Sequence, residues 1–596
     1  MNCKKEKYDS YLNKGLSFAA ICLLFAILGA GFTFYYDLND DVLIKDIVSG
    51  AYTGNPSAYT NQLLYPIAWF ISILYKTVPA LPWYGLVLCG CQGICFYLIL
   101  QRSLTFVVGK IRKIVLIMLE VSCILALCMW ELVIVQYTVT SALLAATACF
   151  LVFTKTETGV TGAGMKQNDM IQKQCSRMIL DFLWENKAAV ILVILSFNIR
   201  SEMLLLMSPF IALTGIIKWA GEEHVFEKKT VIKYLSLIGT IIFGLLLSLV
   251  IDTLAYSGKE WKDFREFFDA RTKVYDYTWY PSYENAAAFY HDIGLSNAQV
   301  TLIDNYNFGL DEAIDSQILW EIADYAEKTG VKEPLLTRLK AAAIDYKWRT
   351  FHEQDAPYNY MVLAAYGLVI VLGVCKKDKS VIWKLPLMWI FRTIPWMYVI
   401  ISKRVPARIS HPLYYIELIV LCAWIILYCD RVWKGRVCAG ILGILSLCIL
   451  PSSITKLSDE MQRREDVNAV IQEFAAYAQA HPENYYYMDV YSTVDFSEKM
   501  FTDVDNSLKN YDILGGWLSG SPLQKKSTDS FYEDRLSRAE LLLQDNFYFV
   551  IEDDADILFL QEFYGTQGID IVVSPIEEIS REERTLVIYE VLLAGM

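Results

Sequence analysis

The feature that most constrains this chain is a recurrence of apolar runs separated by short basic turns. They fall near residues 15–36, 83–101, 114–132, 134–153, 188–199, 203–218, 234–255, 358–374, 381–401, 412–429 and 437–454. A hydrocarbon core of about 30 Å takes roughly 20 apolar residues of helix, and only helices or closed barrels satisfy their backbones there. With 55% hydrophobic residues over 596 positions, the pattern predicts an α-helical multi-pass membrane domain of about 11 transmembrane helices over residues 1–454.

Orientation follows from lysine and arginine, which favour the cytoplasmic side. Lys4, Lys5, Lys7 and Lys14 precede the first run, so the N-terminus is predicted inside and Asp37-Leu38-Asn39-Asp40-Asp41 outside. If the run Leu63–Val78 crossed, Arg102, Lys110, Arg112 and Lys113 would be exported, so it reads as an interfacial helix within an external loop 37–82. Lys166 and Arg431 are among the basic residues that mark later inner turns. Residues 256–357 then form a long external loop, and residues 455–596 an external soluble domain. This places the protein in the cell membrane with its C-terminal domain extracellular or periplasmic.

Charge is divided along the same boundary. From residue 455 onward there are 28 acidic and 11 basic side chains, whereas the chain as a whole carries −13. An acidic tail on a weakly basic membrane domain argues against nucleic acid as a partner. The polar regions 256–356 and 455–596 contain no cysteine, which points to a bacterial envelope protein stabilised by packed cores. In the tail, an amphipathic pattern at 459–480 precedes strand patterns at 485–490, 547–552, 570–574 and 585–592. A helical pattern at 555–564 suggests a βαβ unit in a small α/β domain.

Two constellations carry candidate chemistry. Asp37, Asp40 and Asp41 could supply a general base or bind a divalent cation; the alternative is a solvated helix cap for Val42–Val48. Lys403, Arg404 and Arg408, with His411 beside them, put positive charge on the predicted outer face and suit an external anion such as phosphate. Lipid-headgroup contact or pairing with the acidic external domains is the alternative. Arg200 could add to that site or pair with Glu202. Arg392 lies inside an apolar run, where charge calls for a function or a partner. The aromatic group Tyr275, Tyr277, Trp279, Tyr280 and Tyr283 could face a saccharide or an interface. No histidine or cysteine spacing resembles a metal site, and no phosphate-binding glycine loop is present.

The pair Asp40-Asp41 in the first external loop, the run after Tyr59-Thr60-Asn61 and the helix opening at Pro82-Trp83-Tyr84 together resemble the GT-C superfamily of integral-membrane glycosyltransferases. The resemblance lies in the layout of residues 1–454, followed by a soluble domain, more than in identity, and the Trp-Trp-Asp signature of oligosaccharyltransferases is missing. It implies transfer of a sugar from a polyprenyl-phosphate donor to a glycan, lipid or protein acceptor at the outer membrane face. Asp40 or Asp41 would then be the base, and Arg404 and Arg408 the phosphate ligands. A flippase of lipid-linked saccharides, or a scaffold for envelope polymer synthesis, are the competing readings.

Overall fold

The computed structural model describes residues 2–155, 168–330, 334–429, 433–501, 506–529, 531–532 and 536–595; Lys166 and Arg431 lie outside them. Among the described residues, eight helices are long and apolar enough to cross a membrane: Tyr8–Gly31, Trp83–Leu104, Lys110–Val133, Ser201–Ala220, Lys228–Ala255, Tyr358–Lys376, Ala407–Tyr428 and Gly440–Ala480. The chain is an α-helical membrane protein. Tyr137–Phe153 is shorter and buried along nearly its whole length against four other helices. Enclosure on every side explains why its run reads as apolar all round. Asn168–Ile199 and Val381–Ile401 complete the bundle.

At one end of the bundle, here termed the loop end, two-residue strands β1 (Tyr35–Tyr36) and β2 (Ile134–Val135) pair in parallel. β1 leads into the helix Asn39–Ser49, which stops at Gly50 in the left-handed conformation with φ 98°. A Cβ there would lie 2.8 Å from Pro56, so glycine is required on two counts. The helix is capped by Leu38 with no side-chain bond, so neither Asp40 nor Asp41 caps it; both lie in its first turn. Tyr65–Thr77 has 13 residues, too few to cross, and packs beside this helix and Lys228–Ala255.

The apolar run 437–454 and the amphipathic pattern 459–480 are one 48-residue helix, Trp433–Ala480. At 1.5 Å per residue it spans about 70 Å, from bundle depth into the polar tail. The expected boundary at 454/455 falls inside it. Beyond it, β3 (Tyr485–Met488), β4 (Tyr511–Ile513), β5 (Phe547–Glu552), β6 (Ile571–Arg581) and β7 (Arg584–Leu593) form a sheet in the order β4-β3-β5-β7-β6. The helix Leu558–Thr566 links β5 to β6 as expected, but β7 is inserted between them, antiparallel to both. A two-residue turn with Glu582 at φ 51° sends β7 straight back beside β6.

The polar loop and the tail share a core. Ala270, Val274, Tyr290, Ile303, Phe308 and Leu319 from the loop pack with Tyr485, Tyr487, Phe549, Leu560 and Phe563 from the tail.

Candidate functional site

The first loop is the joint between bundle and tail. The Met500 amide donates to the Phe34 carbonyl at 2.9 Å, the Tyr36 amide to Glu498 at 3.0 Å and the Lys509 amide to Ala51 at 2.9 Å. Side chains reinforce these bonds. Lys45 lies 2.7 Å from both Asp46 and Glu498, Lys509 lies 2.6 Å from Asp46, and Tyr52 donates to Asp512 at 2.9 Å. Burial alone would raise the Asp46 carboxyl, but Lys45 and Lys509 hold it below its usual range. Four charges that are costly to bury singly thereby satisfy one another.

Beside this joint lies a cavity of about 980 Å³, lined by the first loop, the loop ends of several helices, the 256–357 loop and the tail. Asp40 lines it, half-buried, and accepts a bond from Trp517 Nε1 at 3.0 Å. Arg200, Arg404 and Arg408 line it too. Arg200 pairs with Glu202 at 3.2 Å, bonds to Gln62 and lies over the Tyr137 ring. Arg404 pairs with Asp276 at 3.1 Å and lies over Tyr277. Both arginines thus adopt the pairing foreseen as the alternative to anion binding.

Arg408 is different. It is half-buried and has no hydrogen-bond or ion-pair partner among the described residues. Arg271 behaves the same way. It is only 9% exposed and lines the cavity, with its Nε unsatisfied and no ion-pair partner among the described residues. An unpaired buried guanidinium is expensive unless an anion completes it. The charges fall into two sets: Arg200, Asp40, Asp41 and Arg408 act on the Tyr137 hydroxyl, and Arg271, Asp276 and Arg404 on that of Tyr306.

Toward bundle depth the lining becomes apolar. Leu205 and Leu206 of Ser201–Ala220 and Ile394, Pro395 and Tyr398 of Val381–Ile401 form its walls. Leu205, Ile394 and Tyr398 are exposed.

Three expected site residues lie elsewhere. Asp41 is fully buried on a neighbouring face of its helix, accepting from the Tyr84 hydroxyl at 2.8 Å and the Tyr137 amide at 3.3 Å. Burial pushes its carboxyl well above the usual range, toward the neutral acid. Asp37 is held by Arg464 of the long helix at 3.0 Å, and that guanidinium also donates to the Asp37 and Tyr36 carbonyls. Burial raises Asp37 against the opposing pull of Arg464. His411 sits 3.2 Å from Glu131 and 3.1 Å from the Gln354 carbonyl, two acceptors that a protonated imidazole satisfies. Arg392 does not line the cavity and pairs with Glu417 at 2.9 Å.

Sequence reasoning missed Arg271, Lys509 and Trp517. Arg271 lies in the charged helix Lys259–Thr272, whose composition reads as a solvated surface. Trp517 and Lys509 are remote in sequence from Asp40 and Asp46, which they bond. Among the described residues, no group of three or more histidine, cysteine or acidic side chains is placed to hold a metal ion. No protein-family model, curated protein or solved structure matches this chain.

Proposed function

We propose that this protein is a multi-pass glycosyltransferase of the GT-C type, which moves a sugar from a polyprenyl-phosphate donor to an acceptor hydroxyl at the outer membrane face. The observation that carries this reading is the cavity itself. It holds Arg271 and Arg408, which have no ion-pair partner among the described residues, together with the half-buried Asp40 carboxylate, and its wall toward bundle depth is apolar. That combination suits an anionic headgroup on a lipid chain.

In this mechanism Asp40 takes the proton from the acceptor hydroxyl, whose oxygen attacks the anomeric carbon. The bond from that carbon to the phosphate oxygen breaks, and the lipid phosphate leaves with the electron pair. Arg408 and Arg271 receive the charge that develops on it, while Arg200 and Arg404 remain tied to Glu202 and Asp276 nearby. Asp41 is a poor base because burial favours its neutral form. The eleven-crossing topology with a cytoplasmic N-terminus belongs to the same proposal and is supported by the distribution of lysine and arginine. A flippase is less well supported, since the deep charge Arg392 is neutralised by Glu417 away from the cavity.

Asp40→Asn is expected to lower transfer by about 10²- to 10⁴-fold in reconstituted vesicles, and Asp41→Asn to retain most of it. The measurement is radiolabelled sugar passing from a polyprenyl-phosphate donor to a glycan acceptor. Wild-type rates for Asp40→Asn in correctly folded protein would remove this assignment.

A further inference from the structure

The helix Leu335–Arg349 belongs to the polar 256–357 loop, yet it packs along Val381–Ile401 rather than above it. The Tyr346 hydroxyl bonds to Arg392 and lies 3.2 Å from Thr393. Thr393 is eight residues from the helix end at Ile401, or about 12 Å along the axis. Arg349, in the same last turn of the helix, pairs with Asp355 at 2.7 Å. Only Ala342 of the helix is buried.

The side turned away from these contacts carries Thr337, Ala341, Ile344 and Trp348 at helical spacing, continued by Phe351. Ile344, Trp348 and Phe351 are 60%, 61% and 56% exposed; the exposed Lys340 and Lys347 border one side of the stripe and the exposed Asp345 the other. Ile390 of the neighbouring Val381–Ile401 is 59% exposed too. A helix with an apolar stripe, flanking lysines and a place beside membrane-depth residues has the physical character of an interfacial helix.

We propose that Leu335–Arg349 and Phe351 are embedded in the lipid leaflet at the loop end. Ile344, Trp348 and Phe351 enter the acyl boundary, and Lys340 and Lys347 contact anionic headgroups. Ile344, Trp348 and Phe351 do not line the cavity, and the proposal does not depend on its chemistry.

The test places a bimane label at Trp348→Cys, and separately at Phe351→Cys, on a background with native cysteines replaced by serine. The protein is reconstituted in phosphatidylcholine vesicles containing brominated phosphatidylcholine or brominated phosphatidylglycerol. Both labels should be quenched, and brominated phosphatidylglycerol should be about two- to five-fold more effective, an advantage lost in Lys340→Gln/Lys347→Gln. A label at Trp279, which is 94% exposed, serves as the solvent control and should not be quenched. Absence of quenching at both 348 and 351 overturns the proposal, whether the labels report water or contact with a second copy of the chain. Equal quenching by the two lipids overturns the role of the lysines.

Discussion

Asp40 and Asp41 are neighbours in sequence, but a helix rotates by about 100° per residue, so they face different surroundings. Asp40 looks into the cavity toward Trp517, whereas Asp41 looks into the bundle toward Tyr84. The burial that raises Asp41 also sets the sign of its pH dependence. Its raised folded pKa contributes stability below the unfolded value near 4, and that contribution is lost as pH rises through the folded one. Asp41→Asn mimics the neutral acid, so its melting temperature should exceed that of the wild type at pH 8 and converge with it near pH 4. Differential scanning fluorimetry in detergent gives the comparison. Equal melting temperatures at both values would show that burial does not hold Asp41 neutral. Arg271 and Arg408 support a second expectation. Replacing either by glutamine should weaken binding of an alkyl phosphate by roughly 10- to 100-fold, the range for a charge-assisted bond, with no loss of melting temperature in the ligand-free protein. Calorimetric titration reads this directly.

Among the elements, the long helix Trp433–Ala480 and the short helix Asn39–Ser49 together hold the site. Arg464 reaches from the first to clasp the backbone entering the second, which is why Asp37 is an anchor rather than a ligand. The transition from apolar to polar residues after Pro451 looks like a domain boundary in sequence, but no helix-stopping residue accompanies it. Pro451 itself is accommodated within the helix, with Ser453 bonding the Ala126 carbonyl at 2.8 Å on the neighbouring helix. The Lys45–Asp46–Lys509–Glu498 network is the main side-chain fastening between loop and tail. Lys509→Gln leaves Asp46, whose side chain is 6% exposed, with only Lys45. The expected loss is about 3 kcal/mol, measured by chemical denaturation of the tail in detergent. Asp46 has the opposite pH sign from Asp41. Its folded pKa is depressed, so its contribution is present above the unfolded value near 4 and disappears as pH falls through the folded one.

At the scale of the whole molecule, the 256–357 loop and the tail behave as one folded body because they bury a common aromatic and aliphatic core. Deleting residues 482–596 removes one side of that core and one wall of the cavity. The helices Asn297–Asp304 and Ser316–Thr329 should then lose hydrogen-exchange protection although they lie far upstream in sequence. Retained protection there would mean that the loop folds alone. The apolar runs alone determined the helical membrane character of this chain, because a 20-residue apolar helix has few other stable environments. They also placed the aspartate loop at a helix end, together with the later basic turn. What only the tertiary structure decided is which charges meet. Arg464, Lys509 and Trp517 reach the first loop from more than 400 residues away, and Arg271 reaches the cavity from a helix that reads as solvated. Sequence spacing carries no record of such encounters, since they depend on how separate helices and a distant sheet pack around one another.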